Sequence, residues 1–174
     1  LKIKEYLRVR YSSRLSQKLA GRQPVNLRRL PSTEGTSEEQ SVAFITYNEN
    51  EIRDGIGKIF EDANGRLLII GSAGSGKTTL LLQVELYLLA SAKNAIPVIL
   101  NLATWQSEFK TIEDWLTRIL PAEMGVNKAL ADKVIEQYPL ILLLDGFDEI
   151  KKEERNDCLD AIGKYSADTN HRFA

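Results

Sequence analysis

The chain carries two kinds of apolar pattern, ladders and solid blocks, and they predict different elements. Ile3, Leu7, Tyr11, Leu15 and Leu19 recur every four residues, the spacing of one face of an amphipathic helix, and Gly21 ends it. Pro24 to Ser41 is rich in Pro, Gly, Ser, Thr and Glu and reads as a linker. Val42 to Tyr47 is a short apolar run. Asn48, with Glu51 three residues on, has the form of a helix cap, and Ile52, Ile56, Ile59 and Phe60 mark a helix closing near Asn64 and Gly65.

Solid blocks dominate the rest of the chain. Leu67, Leu68, Ile69 and Ile70 predict a strand buried on both faces. A helix from Lys77 to Ala92 follows, with leucines on all its sides, as expected of a helix held against a sheet and covered in turn. Pro97 to Leu102 is the next strand. Thr111 and Asp114 flank the start of a helix through Trp115, Leu116, Ile119 and Leu120, which Pro121 stops. A further helix from Asn127 carries Leu130, Val134 and Ile135, and Trp105 and Trp115 read as core aromatics. Five apolar residues, Leu140 to Leu144, run into Asp145 as a buried parallel strand, and another helix begins near Ile150. Strands alternating with helices predict an α/β fold of three layers around a mostly parallel sheet, with right-handed crossovers placing helices on both faces.

What lies between the blocks is chemistry. Gly71, Ser72, Ala73, Gly74, Ser75, Gly76, Lys77, Thr78 and Thr79 follow the first block as G-x-x-x-x-G-K-T. That is the phosphate-binding loop of nucleoside triphosphatases, in the strand-before, helix-after setting it needs. A triphosphate needs donors that approach without side-chain clash; the glycines let successive N–H groups turn inward, and the helix start adds its amides and dipole. Lys77 is expected to reach the β- and γ-phosphates and Thr78 to ligate Mg²⁺. At the other anchor, Asp145 ends its strand where open α/β sheets bind ligand, so it is expected beside the same Mg²⁺. Asp148 and Glu149 follow within a turn. Either could orient or deprotonate the water that attacks the γ-phosphate, and either could instead be an acidic cap on the next helix. Residues 42–47 are candidates for contacts to the nucleotide base or for ordinary core packing.

Composition narrows the setting. The chain has 174 residues, 43% of them hydrophobic, enough for one sizeable core but hardly for two. One cysteine, Cys158, excludes a disulfide framework and a thiolate metal site, and one histidine, His171, cannot build a metal cluster alone. The longest apolar run is too short to span a bilayer and no signal peptide opens the chain, so the expected setting is cytoplasmic. Leu1 and the terminal Arg172-Phe173-Ala174 suggest a piece of a longer polypeptide. Net charge is −1, but residues 1–30 hold nine Lys and Arg against Glu5 alone, a charge of +8, so the remainder carries −9. The basic first helix could bind nucleic acid, a membrane or a partner, or pack on acidic parts of its own chain or an upstream domain.

The strand ending Asp145-Gly146-Phe147-Asp148-Glu149, together with Gly71 to Thr79, resembles the NACHT family of signal-transducing STAND ATPases. That family places a small residue after the Walker B aspartate and further acidic residues beyond, as Gly146, Asp148 and Glu149 stand here. Asn101-Leu102-Ala103-Thr104-Trp105 and Asp114-Trp115-Leu116 look like bacterial, especially cyanobacterial, members. The resemblance covers residues 42–174, with 41–174 as the N-terminal part of a NACHT nucleotide-binding domain and 1–40 as a basic amphipathic helix and linker.

The resemblance implies an ATP/ADP switch with Mg²⁺, in which Gly71 to Thr79 bind phosphates, Asp145 serves the metal and Asp148 or Glu149 assists hydrolysis. It implies an effector domain, sensing repeats and self-association through the NACHT module, in signalling or, in bacteria, antiviral defence. It also implies an additional-strand, AAA-like P-loop NTPase sheet, truncated here: a later strand, between those at 67 and 140, is missing or only begun at Phe173. Two other readings stand beside it, a nucleotide-binding scaffold without turnover and a nucleic-acid-dependent ATPase. A GTPase is disfavoured, since Asp145-Gly146-Phe147-Asp148 ends in Asp where D-x-x-G is needed, and Asn127-Lys128-Ala129-Leu130 lacks the guanine-reading Asp.

Overall fold

A computed structural model describes residues 2–19, 59–61, 63, 67–70, 74–168 and 172–173. The expected linker, residues 42–47, Gly71 to Ala73 and His171 lie outside the described residues. Two compact units are present: Leu1–Ser91 with Phe173–Ala174, and Ala92–Arg172.

In the first unit, α1 (Lys2–Leu19) packs against α2 (Lys77–Ser91). The four-residue ladder does what it predicts: Leu7 and Tyr11 are fully buried, while Ile3 and Leu15 are half-buried. Lys4 is buried beside them, and desolvation lowers its pKa. The basic helix thus spends its apolar face within its own chain. Helix α2 buries Leu80, Leu81, Leu82, Val84, Leu88 and Leu89, on several sides as expected. Residues 59–61 are helical, with Phe60 buried and Glu61 accepting a 2.9 Å hydrogen bond from the Tyr87 hydroxyl of α2.

The block from Leu67 to Ile70 departs from expectation. It carries no strand ladder; Leu67 is buried, but Leu68 and Ile70 are 56% and 59% exposed. A strand buried on both faces needs hydrogen-bonded neighbours to align it and cover its faces. None of the described strands pairs with it, so alternate side chains face outward.

In the second unit, β1 (Ile96–Asn101) pairs in parallel with β2 (Leu140–Asp145), Ile96 opposite Leu140 and Asn101 opposite Asp145. Pro97 has no N–H for a ladder, which an edge strand tolerates, and β1 is at one end of the described sheet. The later strand, expected to be missing or only begun at Phe173, is present as the two-residue β3 (Arg172–Phe173), whose Phe173 belongs to the first unit. Ile96, Val98, Leu100, Leu142 and Leu143 are buried with essentially no exposure or none. Each such side chain contributes roughly 1.5–3 kcal/mol.

Helices α3 (Ile112–Met124) and α4 (Lys128–Gln137) pack on each other, α3 also on β1, and α5 (Arg155–Asp168) against α3. Thr111 caps α3 by accepting from the Asp114 amide at 3.1 Å, and Asn127 caps α4 by accepting from the Leu130 amide at 2.9 Å. Pro121 does not stop α3. Its missing N–H removes one backbone bond near the end, yet the helix continues to bury Met124 one turn beyond Leu120. Gly125, at φ 66°, then closes the helix in the left-handed region. Trp105 and Trp115 are core aromatics, as expected, in a T-shaped pair 5.7 Å apart. The helix expected near Ile150 begins later, at Arg155, because two 3₁₀ turns, Phe147–Glu149 and Lys152–Glu154, precede it.

Candidate functional site

The described part of the phosphate loop belongs to the first unit. Gly74 and Gly76 have φ of 76° and 91°, values at which a side chain is strained and which curl the backbone so that N–H groups share one side. The Leu80 amide bonds the Gly76 carbonyl at 3.0 Å. Amides earlier in the first turn have no acceptor inside the helix, which makes a helix start a natural seat for an anion. Lys77, Thr78 and Thr79 occupy that turn, each half-buried. The Ser75 hydroxyl is buried with no hydrogen-bond partner among the described residues, an orphan that a polar ligand would satisfy. The loop therefore fits a phosphate group on its own geometry.

The acidic residues belong to the second unit, at the C-terminal tip of its parallel ladder. Asp145 ends β2 half-buried, opposite Asn101. Gly146 then turns left-handed, at φ 79° and ψ 32°. A Cβ there would lie 3.0 Å from Asn101 Oδ1 and 3.3 Å from Glu149 Oε2, so the glycine is needed for space as well as for backbone angle. Its bareness lets the Asn101 carboxamide and the Glu149 carboxylate crowd over one backbone atom. Asn101 is itself fixed: its Oδ1 accepts from the Ala103 amide at 2.9 Å, and its carbonyl from the Thr104 hydroxyl at 2.7 Å. Thr104 in turn accepts from the Trp115 indole at 3.1 Å, which ties the strand tip to the aromatic core.

Beyond Gly146, Asp148 and Glu149 sit on the exposed 3₁₀ turn Phe147–Glu149. The Glu149 amide bonds the Gly146 carbonyl at 3.0 Å and the Ile150 amide bonds the Phe147 carbonyl at 3.4 Å. Ile150 is buried and anchors the far end. Arg155 reaches back over the turn, donating from Nη2 to the Asp148 carbonyl at 2.8 Å and from Nε to the Ile150 carbonyl at 3.1 Å. The turn's carboxylates therefore stay accessible while its backbone is held.

Thr78, in the first unit, carries a hydroxyl and Asp145, in the second, a carboxylate; each is a hard oxygen donor of the kind Mg²⁺ takes. Gly71, Ser72 and Ala73 lie outside the described residues. Gly74 to Thr79 stand together in the first unit, and Asp145, Asp148 and Glu149 together in the second.

Sequence reasoning passes over two residues at the acidic tip. Asn101 can be found by aligning the ends of the two apolar strands, which sets it opposite Asp145. Arg155 carries no signal, because its role depends on where the turn ends and the helix begins.

A family model of the NACHT domain matches residues 66–170. No curated protein and no solved structure matches the chain.

Proposed function

The chain belongs to the NACHT family, and from that premise we propose that it binds ATP or ADP with Mg²⁺ and hydrolyses ATP slowly to switch its own assembly. Family membership makes it a nucleotide-binding P-loop NTPase module with an α/β fold; the choice of nucleotide, the metal and the switch go further. The observation that carries them is the pair of left-handed glycines, Gly74 and Gly76, opening a helix whose first turn holds Lys77 and Thr78.

In this reading Gly71 to Thr79 cradle the phosphates, and Lys77 balances charge on the γ-phosphate as it departs. The Thr78 hydroxyl and the Asp145 carboxylate are oxygen ligands for Mg²⁺, which when bound neutralises phosphate charge. Glu149 or Asp148 accepts the proton of the attacking water or orients it. Nucleotide can bias two states only by binding them unequally, so ADP and ATP forms must differ in their tendency to assemble.

Residues 41–174 then form the N-terminal part of the NACHT domain and 1–40 its leading helix and linker. Effector and sensor domains in the same polypeptide, a cytoplasmic setting and a part in antiviral defence or signalling complete the proposal. Among the described residues no helix is long and apolar enough to cross a membrane. The packing of α1 on α2 supports a structural part for the basic helix over a nucleic-acid site.

Calorimetry on the full-length protein, with ATP, ADP and GTP and with or without Mg²⁺, tests binding; phosphate release tests turnover. We expect ATP and ADP to bind with Mg²⁺ and GTP to bind weakly. Glu149→Gln or Asp148→Asn should slow hydrolysis about 100-fold or more while sparing affinity, the usual scale for losing a general base. ATP binding with no phosphate release would reduce the protein to a scaffold. No ATP binding at all removes the proposal.

A further inference from the structure

We propose that Arg155 is a positioning residue for hydrolysis, clamping the acidic turn after β2 so that Asp148 and Glu149 stay set for the attacking water. The inference rests on the ATP-hydrolysing reading above and deepens it.

One side chain holds most of the turn. Nη2 donates to the Asp148 carbonyl at 2.8 Å and Nε to the Ile150 carbonyl at 3.1 Å, while the guanidinium carbon lies 6.0 Å from the centre of the Phe147 ring. Residues 147, 148 and 150 are therefore all tied to the first residue of α5. Glu149, between them, is tied through its own amide to Gly146 at 3.0 Å. The planar fork of donors on arginine suits two carbonyls at once, and the charge strengthens both bonds.

The turn needs this support. It is a single 3₁₀ turn, a form whose hydrogen bonds are poor, and the second of its two bonds is stretched to 3.4 Å. All three of its side chains are exposed, including Phe147 at 40%, so packing does little to hold it. Asp148 and Glu149 are followed in sequence by three more carboxylates, Glu153, Glu154 and Asp157. Of the neighbouring cations, Lys151 is paired with Glu154 at 3.6 Å, whereas Arg155 donates to the turn's backbone. A carboxylate that orients water must be held to within about 0.5 Å, and the clamp reaches it without touching it, through the backbone.

The test uses Arg155→Ala and Arg155→Lys in the full-length protein. Arg155→Ala should slow turnover about 10- to 100-fold, with KM and ATP affinity within about twofold of wild type. Arg155→Lys should slow it less, since an ammonium keeps the charge but cannot serve both carbonyls in the same fork. Added guanidinium ion should restore part of the Arg155→Ala rate and leave wild type unchanged. Hydrogen exchange at the Glu149 and Ile150 amides should quicken in both variants, with melting temperature nearly constant.

Unchanged turnover overturns the proposal, and so does slowed turnover with unchanged exchange at these amides. So does a rate loss that comes with equal loss of ATP affinity or of melting temperature, because that marks a purely structural residue. If wild type itself releases no phosphate, the hydrolytic reading fails on its own account. The exchange measurement then still decides the clamp: quickened amides keep it, and unchanged amides remove it.

Discussion

Leu67–Ile70 and Leu140–Leu144 are nearly the same string of letters, each an unbroken run of leucine and isoleucine leading into polar chemistry, yet they end in different environments. Leu140 to Leu143 are buried in a parallel ladder whose register runs to Asn101 and Asp145. In the other run Leu67 is buried while Leu68 and Ile70 lie more than half exposed, without a ladder. Hydrophobicity alone therefore does not make a buried strand; backbone partners on its edges do, because they align the chain and let its faces be covered. What each run delivers differs too. The first leads to a loop shaped by its own glycines, the second to an acidic turn shaped by an asparagine across the ladder and an arginine beyond it.

The largest effect that separates the two runs is chemical. Lys77 is the side-chain cation of the glycine loop, and the proposed phosphate contact depends on its ammonium. Lys77→Ala should weaken ATP binding about 1000-fold or more, roughly 4 kcal/mol, with unfolding of the second unit unchanged. Calorimetry that found wild-type affinity would remove the phosphate-loop role and, with it, the contrast between a loop that binds and a turn that assists.

Packing gives the next effect. Leu142 is fully buried in β2, so Leu142→Ala should cost about 2–5 kcal/mol from lost transfer energy and an incompletely collapsed cavity. Leu68→Ala, at a side chain 56% exposed, should cost less than about 0.5 kcal/mol. Urea unfolding of the two variants checks the pair. A cost at Leu68 as large as at Leu142 would show that the first run is buried like the second, in a state with a completed ladder.

How far such contrasts can be read in advance follows from where the information sits. Gly74 and Gly76 act through their own backbone angles, so the loop motif predicts their part directly. The caps at Thr111 and Asn127 are readable for the same reason, since each serves an amide three residues away. Pro121 misleads because a local rule, the missing N–H, is outweighed by the distant burial of Met124. Leu67–Ile70 misleads because composition carries no record of pairing. Arg155 cannot be read at all: its acceptors are carbonyls, which every residue has, and only the 3₁₀ turns bring Asp148 and Ile150 under it.

Gly146 sharpens the view of the acidic tip at smaller cost. Gly146→Ala must place a Cβ at φ 79° and 3.0 Å from Asn101 Oδ1. The left-handed conformation costs a non-glycine residue about 1–2 kcal/mol, and relief requires Asn101 to give way. We expect a loss of stability of that size and a disproportionate loss of turnover, because Glu149 lies 3.3 Å from the same position. Stability loss with wild-type turnover would mean that the bareness of Gly146 serves the backbone alone.

The smallest effect is one of pH, and it divides the two units by sign. On α5, burial pushes the Cys158 thiol from an ordinary 9.0 to about 11. Tyr165 is pushed from 10.0 to about 12, by burial first and then by the charge of Glu113. Between its ordinary and raised values each group binds more proton folded than unfolded. Its contribution is therefore complete below about pH 9 for Cys158 and pH 10 for Tyr165, and is lost as pH climbs to about 11 and about 12. Lys4, in the first unit, behaves oppositely: burial lowers its pKa from 10.5, so stability there rises as pH approaches 10.5. Both tryptophans, Trp105 and Trp115, lie in the second unit, so their fluorescence reports on that unit. The urea midpoint read from it should fall from about pH 8.5 to about pH 10.5, the span in which the unfolded thiol and phenol begin to ionise, and Cys158→Ala should flatten the fall. A midpoint that stays level over that range would mean that the thiol and phenol ionise in the fold as readily as in water, and that the two units do not differ in this way.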